Sequence, residues 1–120
     1  MITGGAGFIG RYLAERLCDN NQISIYDDLS NSSIEKISFL IDRGTKFIRG
    51  DILDVEKLLE SSKNFDVVIH LAAKSNVAES VINPKDTINV NLNGTINVLK
   101  CCVQNKIRKI IFASSAAVYG

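Results

Sequence analysis

The 120-residue chain contains no tryptophan, one proline, one histidine and three cysteines. Each scarcity excludes something. The lone histidine, His70, has no cluster of Cys or His partners, so no metal site of the zinc type can be assembled. The lone proline, Pro84, and the absence of any low-complexity tract leave no linker, so the chain reads as one domain. No apolar run reaches 18 residues, which excludes a transmembrane helix. Cys18, Cys101 and Cys102 form no CxxC pair and are odd in number, which fits a reducing, cytosolic setting rather than a disulfide framework. Excess charge is missing too: 14 Lys plus Arg against 13 Asp plus Glu leave +1. A near-neutral chain lacks the electrostatic footprint of a nucleic-acid or acidic-membrane binder. The segment Met1–Gly10 has no basic flank and does not read as a signal peptide.

What is present is an ordinary globular composition, 46% hydrophobic and 22% charged, so a disordered chain is not expected. Surface scaling predicts a folded area of about 6,400 Å², with about two-thirds of the unfolded surface buried. Four β-type runs occur: Ile23–Tyr26, Lys46–Ile48, Val67–Leu71 and Lys109–Ala113. The third is almost wholly apolar, as in a strand covered on both faces. Helical patterns lie between them. Phe8 to Asn20 carries Ile9, Leu13 and Leu17 on one face. Ser32 and Glu35 have capping-box spacing and predict a helix to about Asp42. Asp54 can cap a short helix through Leu58 and Leu59. Asn83 before Pro84 opens a helix to about Asn105, with Ile88, Leu92, Ile96, Leu99 and Val103 on one face. Strands alternating with helices predict an α/β fold with a parallel, doubly wound sheet of Rossmann type.

The segment Thr3-Gly4-Gly5-Ala6-Gly7-Phe8-Ile9-Gly10 contains both GxxGxxG and GxGxxG. Each glycine has its own reason: a tight strand-to-helix turn, close approach of a diphosphate to backbone, and close helix-to-sheet packing. The helix N-terminus adds free N–H groups and a positive dipole end. Alone the motif is weak. It gains weight because a helix opens at once and because Asp27 ends the second strand 20 residues after Gly7. An acid there accepts hydrogen bonds from the adenosine ribose hydroxyls. Asp27 and Asp28, with no Arg close behind, would repel a 2′-phosphate, so NAD is expected rather than NADP. No Lys-Ser/Thr follows the glycines, which excludes a P-loop.

These residues, together with Tyr26 to Asn31, Gly50-Asp51-Ile52, Val68 to Ala73, Asn91 to Thr95 and Ser114 to Gly120, resemble the extended short-chain dehydrogenases/reductases. Within that superfamily the chain resembles the NAD-dependent nucleotide-sugar epimerases and dehydratases, above all the UDP-glucose 4-epimerases. The resemblance spans the whole chain. It implies that Gly4, Gly7, Phe8, Ile9 and Gly10 meet the diphosphate, and that Asp27, Asp28, Leu29, Ser30, Asn31 and Ser32 surround the adenosine ribose. It places Asp51 and Ile52 at the adenine and Leu71, Ala72 and Ala73 at the nicotinamide ribose. Asn91 supports the strand end beneath the cofactor, and Ser115 is the active-site hydroxyl on the sugar oxygen. The implied reaction is reversible hydride transfer at sugar C4, with a nucleotide sugar such as a UDP-sugar as substrate. The implied assembly is a homodimer, because the helix from Asn83 resembles one that pairs in family dimers.

The departures from the pattern are informative. Asp28 stands where Asn is usual. Ser75 stands where some galactose epimerases carry a cofactor-reaching Lys, and Lys74 is one place early. Ala116-Ala117 replaces the Asp-Glu pair of sugar 4,6-dehydratases, and alanine cannot protonate a leaving hydroxyl; epimerase is therefore preferred over dehydratase, with a dehydratase or reductase of the same superfamily as the alternative. No Tyr-x-x-x-Lys occurs, because Tyr12 is followed at that spacing by Arg16 and Tyr26 by Ser30. The resemblance therefore implies a partial NAD-binding domain, residues 1–120, of a longer enzyme, inactive by itself. A stand-alone dinucleotide-binding module is the alternative. A first strand of about five residues is expected before Thr3; only Met1-Ile2 stands there, which predicts a gap at the sheet centre. His70 reads as a packed core histidine, and Cys101-Cys102 as packing.

Overall fold

The computed structural model describes residues 1–120. Five parallel strands are ordered β3-β2-β1-β4-β5. They are β1 (Ile2–Thr3), β2 (Ser24–Asp27), β3 (Lys46–Arg49), β4 (Val67–His70) and β5 (Lys109–Phe112). The α-helices are α1 (Phe8–Leu17), α2 (Ser38–Asp42), α3 (Val55–Ser61), α4 (Val77–Ile82), α5 (Pro84–Ile88) and α6 (Thr95–Gln104). A 3₁₀ turn at Ile34–Ile37 precedes α2, and a π-helical segment at Asn89–Gly94 joins α5 to α6. No helix is long and apolar enough to cross a membrane.

Alternation along the strands divides the core. Ile2, Ile25, Ala6, Ala14, Ile37 and Leu40 form one buried cluster, involving α1 and α2. Met1, Tyr26, Ile52, Leu58, Val68, Val98, Cys101 and Cys102 form the other, involving α3 and α6. Neighbours such as Ile25 and Tyr26 serve opposite faces because side chains alternate with period two.

Three expectations need correction. The sheet has no central gap. Ile2 is in register with Ile25 on one side and Ile69 on the other, and Thr3 with Tyr26 and His70. The Ile69 N–H bonds Met1 O at 2.9 Å, and Gly4 N–H bonds Tyr26 O at 2.9 Å, so flanking backbone extends the seam. Second, Ser32 and Glu35 do not build a capping box. The 3₁₀ turn has Ser33 at its N-cap with no side-chain cap bond, and Ser32 Oγ donates instead to Ala6 O at 2.6 Å. Third, the helix from Asn83 does not run as one α-helix to Asn105, because the π-helical segment Asn89–Gly94 divides it; the stripe Ile88, Leu92, Ile96, Leu99 and Val103 is exposed, while Gly94, Val98, Cys101 and Cys102 are buried. The helix approaches the sheet along its small residues: a Cβ on Gly94 would collide with the Ile52 side chain. The accessible surface of 7709 Å² accordingly exceeds the area of about 6,400 Å² expected from mass. Two caps are as the sequence indicates. Asp54 accepts from Lys57 N–H, and Asn83 accepts from Asp86 N–H with Pro84 at the start of α5.

Candidate functional site

The carboxyl ends of β1, β2, β3 and β4 open on one groove with about 700 Å³ of open space, counting the part facing solvent. This is the edge at which an open parallel sheet receives ligands, because the loops diverge there. Of the residues expected from sequence, Gly4, Gly7, Asp27, Asp28, Ser30, Asn31, Ser32, Asp51, Ile52, Leu71, Ala72 and Ala73 line it.

The glycine turn is built of distinct parts. Gly4 has φ +66°, and a Cβ there would stand 2.6 Å from Ala72 N. Gly10 is buried, and a Cβ would stand 2.5 Å from Gly5 Cα, so the first turn of α1 lies directly on the loop. Gly7 is different: only Gly4 O, at 3.2 Å, lies near its missing Cβ. Space is therefore left in front of the helix N-terminus, where first-turn N–H groups lack intrahelical partners. Phe8 and Ile9 are in that first turn, but their side chains do not line the groove. Phe8 packs edge-on against Tyr12 at 5.2 Å, with the Arg11 guanidinium over both rings. What these two residues offer the groove is backbone.

At the end of β2, Asp27 is held by two backbone donors. Oδ2 accepts from Ala6 N–H at 3.0 Å and Oδ1 from Leu29 N–H at 2.9 Å. Burial raises its pKa, opposed by these two bonds, with the Asp28 charge adding to the rise. Asp28 turns inward on its own loop and accepts from Ser30 N–H and Ser30 Oγ. Leu29, at φ +63°, packs on the cluster containing Ile37 and Leu40 rather than lining the groove. Asp51 accepts from Leu53 N–H, and its carbonyl accepts from the Tyr26 hydroxyl at 2.9 Å. Burial, and then the Asp54 and Asp51 charges, push the Tyr26 phenol well above its ordinary range. It stays neutral and is unsuited to act as a base.

On the β4 side, Asn91 lies outside the groove lining but grips it. Lys74 N–H donates to Asn91 Oδ1 at 2.8 Å, and Asn91 Nδ2 donates to Lys74 O at 2.9 Å. The Lys74 ammonium is committed to Glu79 at 3.1 Å and to Asp86. These carboxylates hold its pKa above the ordinary lysine value. Ser115 follows β5, is exposed and accepts from Ala117 N–H at 3.1 Å; it is not part of the groove lining.

Tyr26, Gly50, Lys74 and Val90 also line the groove, although sequence reasoning gave them no site role. Gly50 had a legible signal in its place just before Asp51. A Cβ there would strike the Tyr26 ring, so the glycine keeps the ring and the β3 turn together.

Comparison with known proteins agrees with this architecture. The model of the NAD dependent epimerase/dehydratase family matches residues 1–120, and the chain belongs to that family. A pea (Pisum sativum) bifunctional UDP-glucose 4-epimerase and UDP-xylose 4-epimerase is 39% identical over 131 residues, covering all of this chain and 37% of the relative. The crystal structure of a UDP-glucose-4-epimerase from Stenotrophomonas maltophila, with bound NAD and formylated UDP-arabinopyranose, superposes with a TM-score of 0.91. It is 31% identical and matches 99% of this chain and 37% of that one. A UDP-N-acetylglucosamine 4-epimerase from Methanobrevibacter ruminantium, in complex with UDP-N-acetylmuramic acid, gives 0.90 at 36% identity, covering 99% and 38%. The chain thus spans a little over a third of the length of each of these relatives.

Proposed function

We propose that this chain is the NAD-binding part of a nucleotide-sugar 4-epimerase, an isomerase acting on a UDP-sugar. The observation that carries the reading is the coupling of an open helix N-terminus at Gly7 to a ribose-type acid, Asp27, across one groove. Bound there, NAD supplies reversible hydride acceptance at the sugar C4. The chain's residues bind and orient. The first-turn N–H groups of Phe8, Ile9 and Gly10 face the diphosphate charge. The Asp27 oxygens, each with a lone pair beyond its backbone bond, accept from the adenosine ribose. Asp51 and the Ile52 backbone border the adenine. Leu71, Ala72 and Ala73 line the nicotinamide ribose, with Asn91 fixing the next residue, Lys74, from beneath. Ser115 is the hydroxyl offered to the reacting sugar oxygen, its proton left free because Oγ only accepts within the chain. Lys74 is not a cofactor ligand in this reading, since its charge is already neutralised.

The protein operates in a reducing compartment, in keeping with three free cysteines, and works as a homodimer. The exposed stripe Ile88, Leu92, Ile96, Leu99 and Val103 is the self-association face. Sedimentation of the intact protein tests this: Leu99→Glu should shift a dimer to monomer, and an unchanged mass excludes the face.

The relatives' names are epimerase names, which does not favour the dehydratase, reductase or non-catalytic alternatives. Assay of the intact protein with NAD and UDP-galactose should yield UDP-glucose, and no interconversion overturns the reading. The 120-residue chain alone, lacking a Tyr-x-x-x-Lys dyad, should show no turnover.

A further inference from the structure

His70 is the largest polar commitment in the core that the proposed chemistry does not use. It is 1% exposed, its ring stacks on Phe112 at a centroid distance of 5.6 Å, and each ring nitrogen meets a threonine hydroxyl. Nδ1 is 2.6 Å from Thr3 Oγ1, and Nε2 is 3.0 Å from Thr95 Oγ1. The tautomer follows from proton counting. Thr95 has one hydroxyl proton and donates it to Asn91 O at 2.7 Å. Toward His70 it must therefore accept, so Nε2 carries hydrogen. Neutral imidazole then has a bare Nδ1, and Thr3, fully buried, donates to it. Thr3 Oγ1 remains an acceptor for Ala72 N–H, the longest link at 3.5 Å. The opposite tautomer would make Asn91 O and Nε2 compete for one hydrogen and would leave the Thr3 proton without an acceptor, the latter a costly loss because the Thr3–His70 bond is buried.

The direction of donation therefore runs Ala72 to Thr3, to His70, to Thr95, to the Asn91 carbonyl. Asn91's side chain returns to Lys74 through its paired bonds. The series starts and ends on the Ala72–Lys74 lip of the groove and passes through Thr3, the residue before the glycine turn. We infer that His70, as the neutral Nε2–H tautomer, is a positioning residue that sets the lip against the glycine turn and thereby seats the nicotinamide half of the dinucleotide. This inference rests on the proposal that the groove binds NAD. His70 touches neither cofactor nor substrate; it acts through Thr3, Thr95 and Asn91.

The test uses the intact protein with NAD and ADP as probes, because ADP carries the adenosine and diphosphate but lacks the nicotinamide ribose, and so reports the Asp27 end and the glycine turn but not the Ala72–Lys74 lip. Thr95→Val removes the acceptor for Nε2–H at nearly constant volume. It should weaken NAD fivefold or more while ADP affinity changes less than twofold, and Thr95→Ser should restore NAD binding. His70→Leu should show the same split, with Thr95→Val deciding where His70→Leu fails to fold. NAD and ADP weakening together, or neither weakening, overturns the inference. If the unaltered protein binds ADP but not NAD, or binds neither, the proposed function fails instead. The tautomer is read separately from ¹H–¹⁵N long-range correlations of the imidazole, assigned by their loss in His70→Leu. A bare Nδ1 with protonated Nε2 at neutral pH is expected; Nδ1–H or imidazolium overturns the proton assignment on which the inference stands.

Discussion

The Asp27 carboxylate accepts a hydrogen bond from Ala6 N–H at 3.0 Å, so the acid closing β2 and the glycine turn after β1 are one mechanical unit. Ser32 repeats the connection from further along, donating to Ala6 O at 2.6 Å. A residue read from sequence as a ribose acceptor thus also holds the glycine turn in shape.

Asp27→Ala should for that reason weaken NAD in the intact protein by more than one lost ribose bond would. Leaving Ala6 and Leu29 N–H without their acceptor adds to the loss of a charge-assisted bond of about 1.5–3 kcal/mol. Calorimetry should show at least a tenfold fall, with Asp27→Asn intermediate because one oxygen remains. Unchanged affinity for Asp27→Ala would remove the ribose role.

Gly10→Ala should destabilise the fold before it affects binding. Its Cβ would stand 2.5 Å from Gly5 Cα and 2.6 Å from Gly4 O, both backbone atoms that no rotamer change can move. Overpacking of this kind costs about 1–3 kcal/mol. A lowered melting temperature in the NAD-free protein is expected. Gly7→Ala, whose Cβ would meet only Gly4 O at 3.2 Å, should lower that temperature much less and weaken NAD.

Burial lowers the His70 pKa below its ordinary 6.5, and no charged side chain contributes to the shift. Below pH 6.5 the unfolded chain binds a proton that the folded chain refuses. Stability is complete above that pH and falls as pH drops through it toward the lowered folded value. Asp27 acts with the opposite sign: its raised pKa favours the folded state as pH falls through that value. Denaturant titrations from pH 7 to 5 should therefore show a loss of stability that is smaller in His70→Leu than in the unaltered protein. Parallel profiles would show that the histidine is not buried neutral.

Lys74→Met should loosen α4 and α5. Glu79 and Asp86 would lose their shared cation, and both belong to short helices with no buried residues of their own. The ion pairs are partly exposed and screened by water, so their contribution to global stability is small. Global melting should hardly move, while limited proteolysis between Val77 and Ile88 should accelerate. Equal cleavage rates would show that the pairs are incidental.

Much of this was legible in the chain itself. Strand identity, parallel order, the glycine turn, the acid at position 27 and the caps at Asp54 and Asn83 follow from side-chain period, turn geometry and capping, all of which act within a few residues. The relationships that needed the folded molecule act at a distance. Two residues of β1 fill the sheet centre because β2 and β4 both bond them. The apolar stripe from Ile88 to Val103 is left outside because Gly94 and the two cysteines allow the closer approach. His70 becomes a directional link only when β1 sets Thr3 on one ring nitrogen and the helix sets Thr95 on the other. Sequence spacing carries local geometry, but which polar atoms share a dry interior, and which way their protons point, is decided by the packing that brings them together.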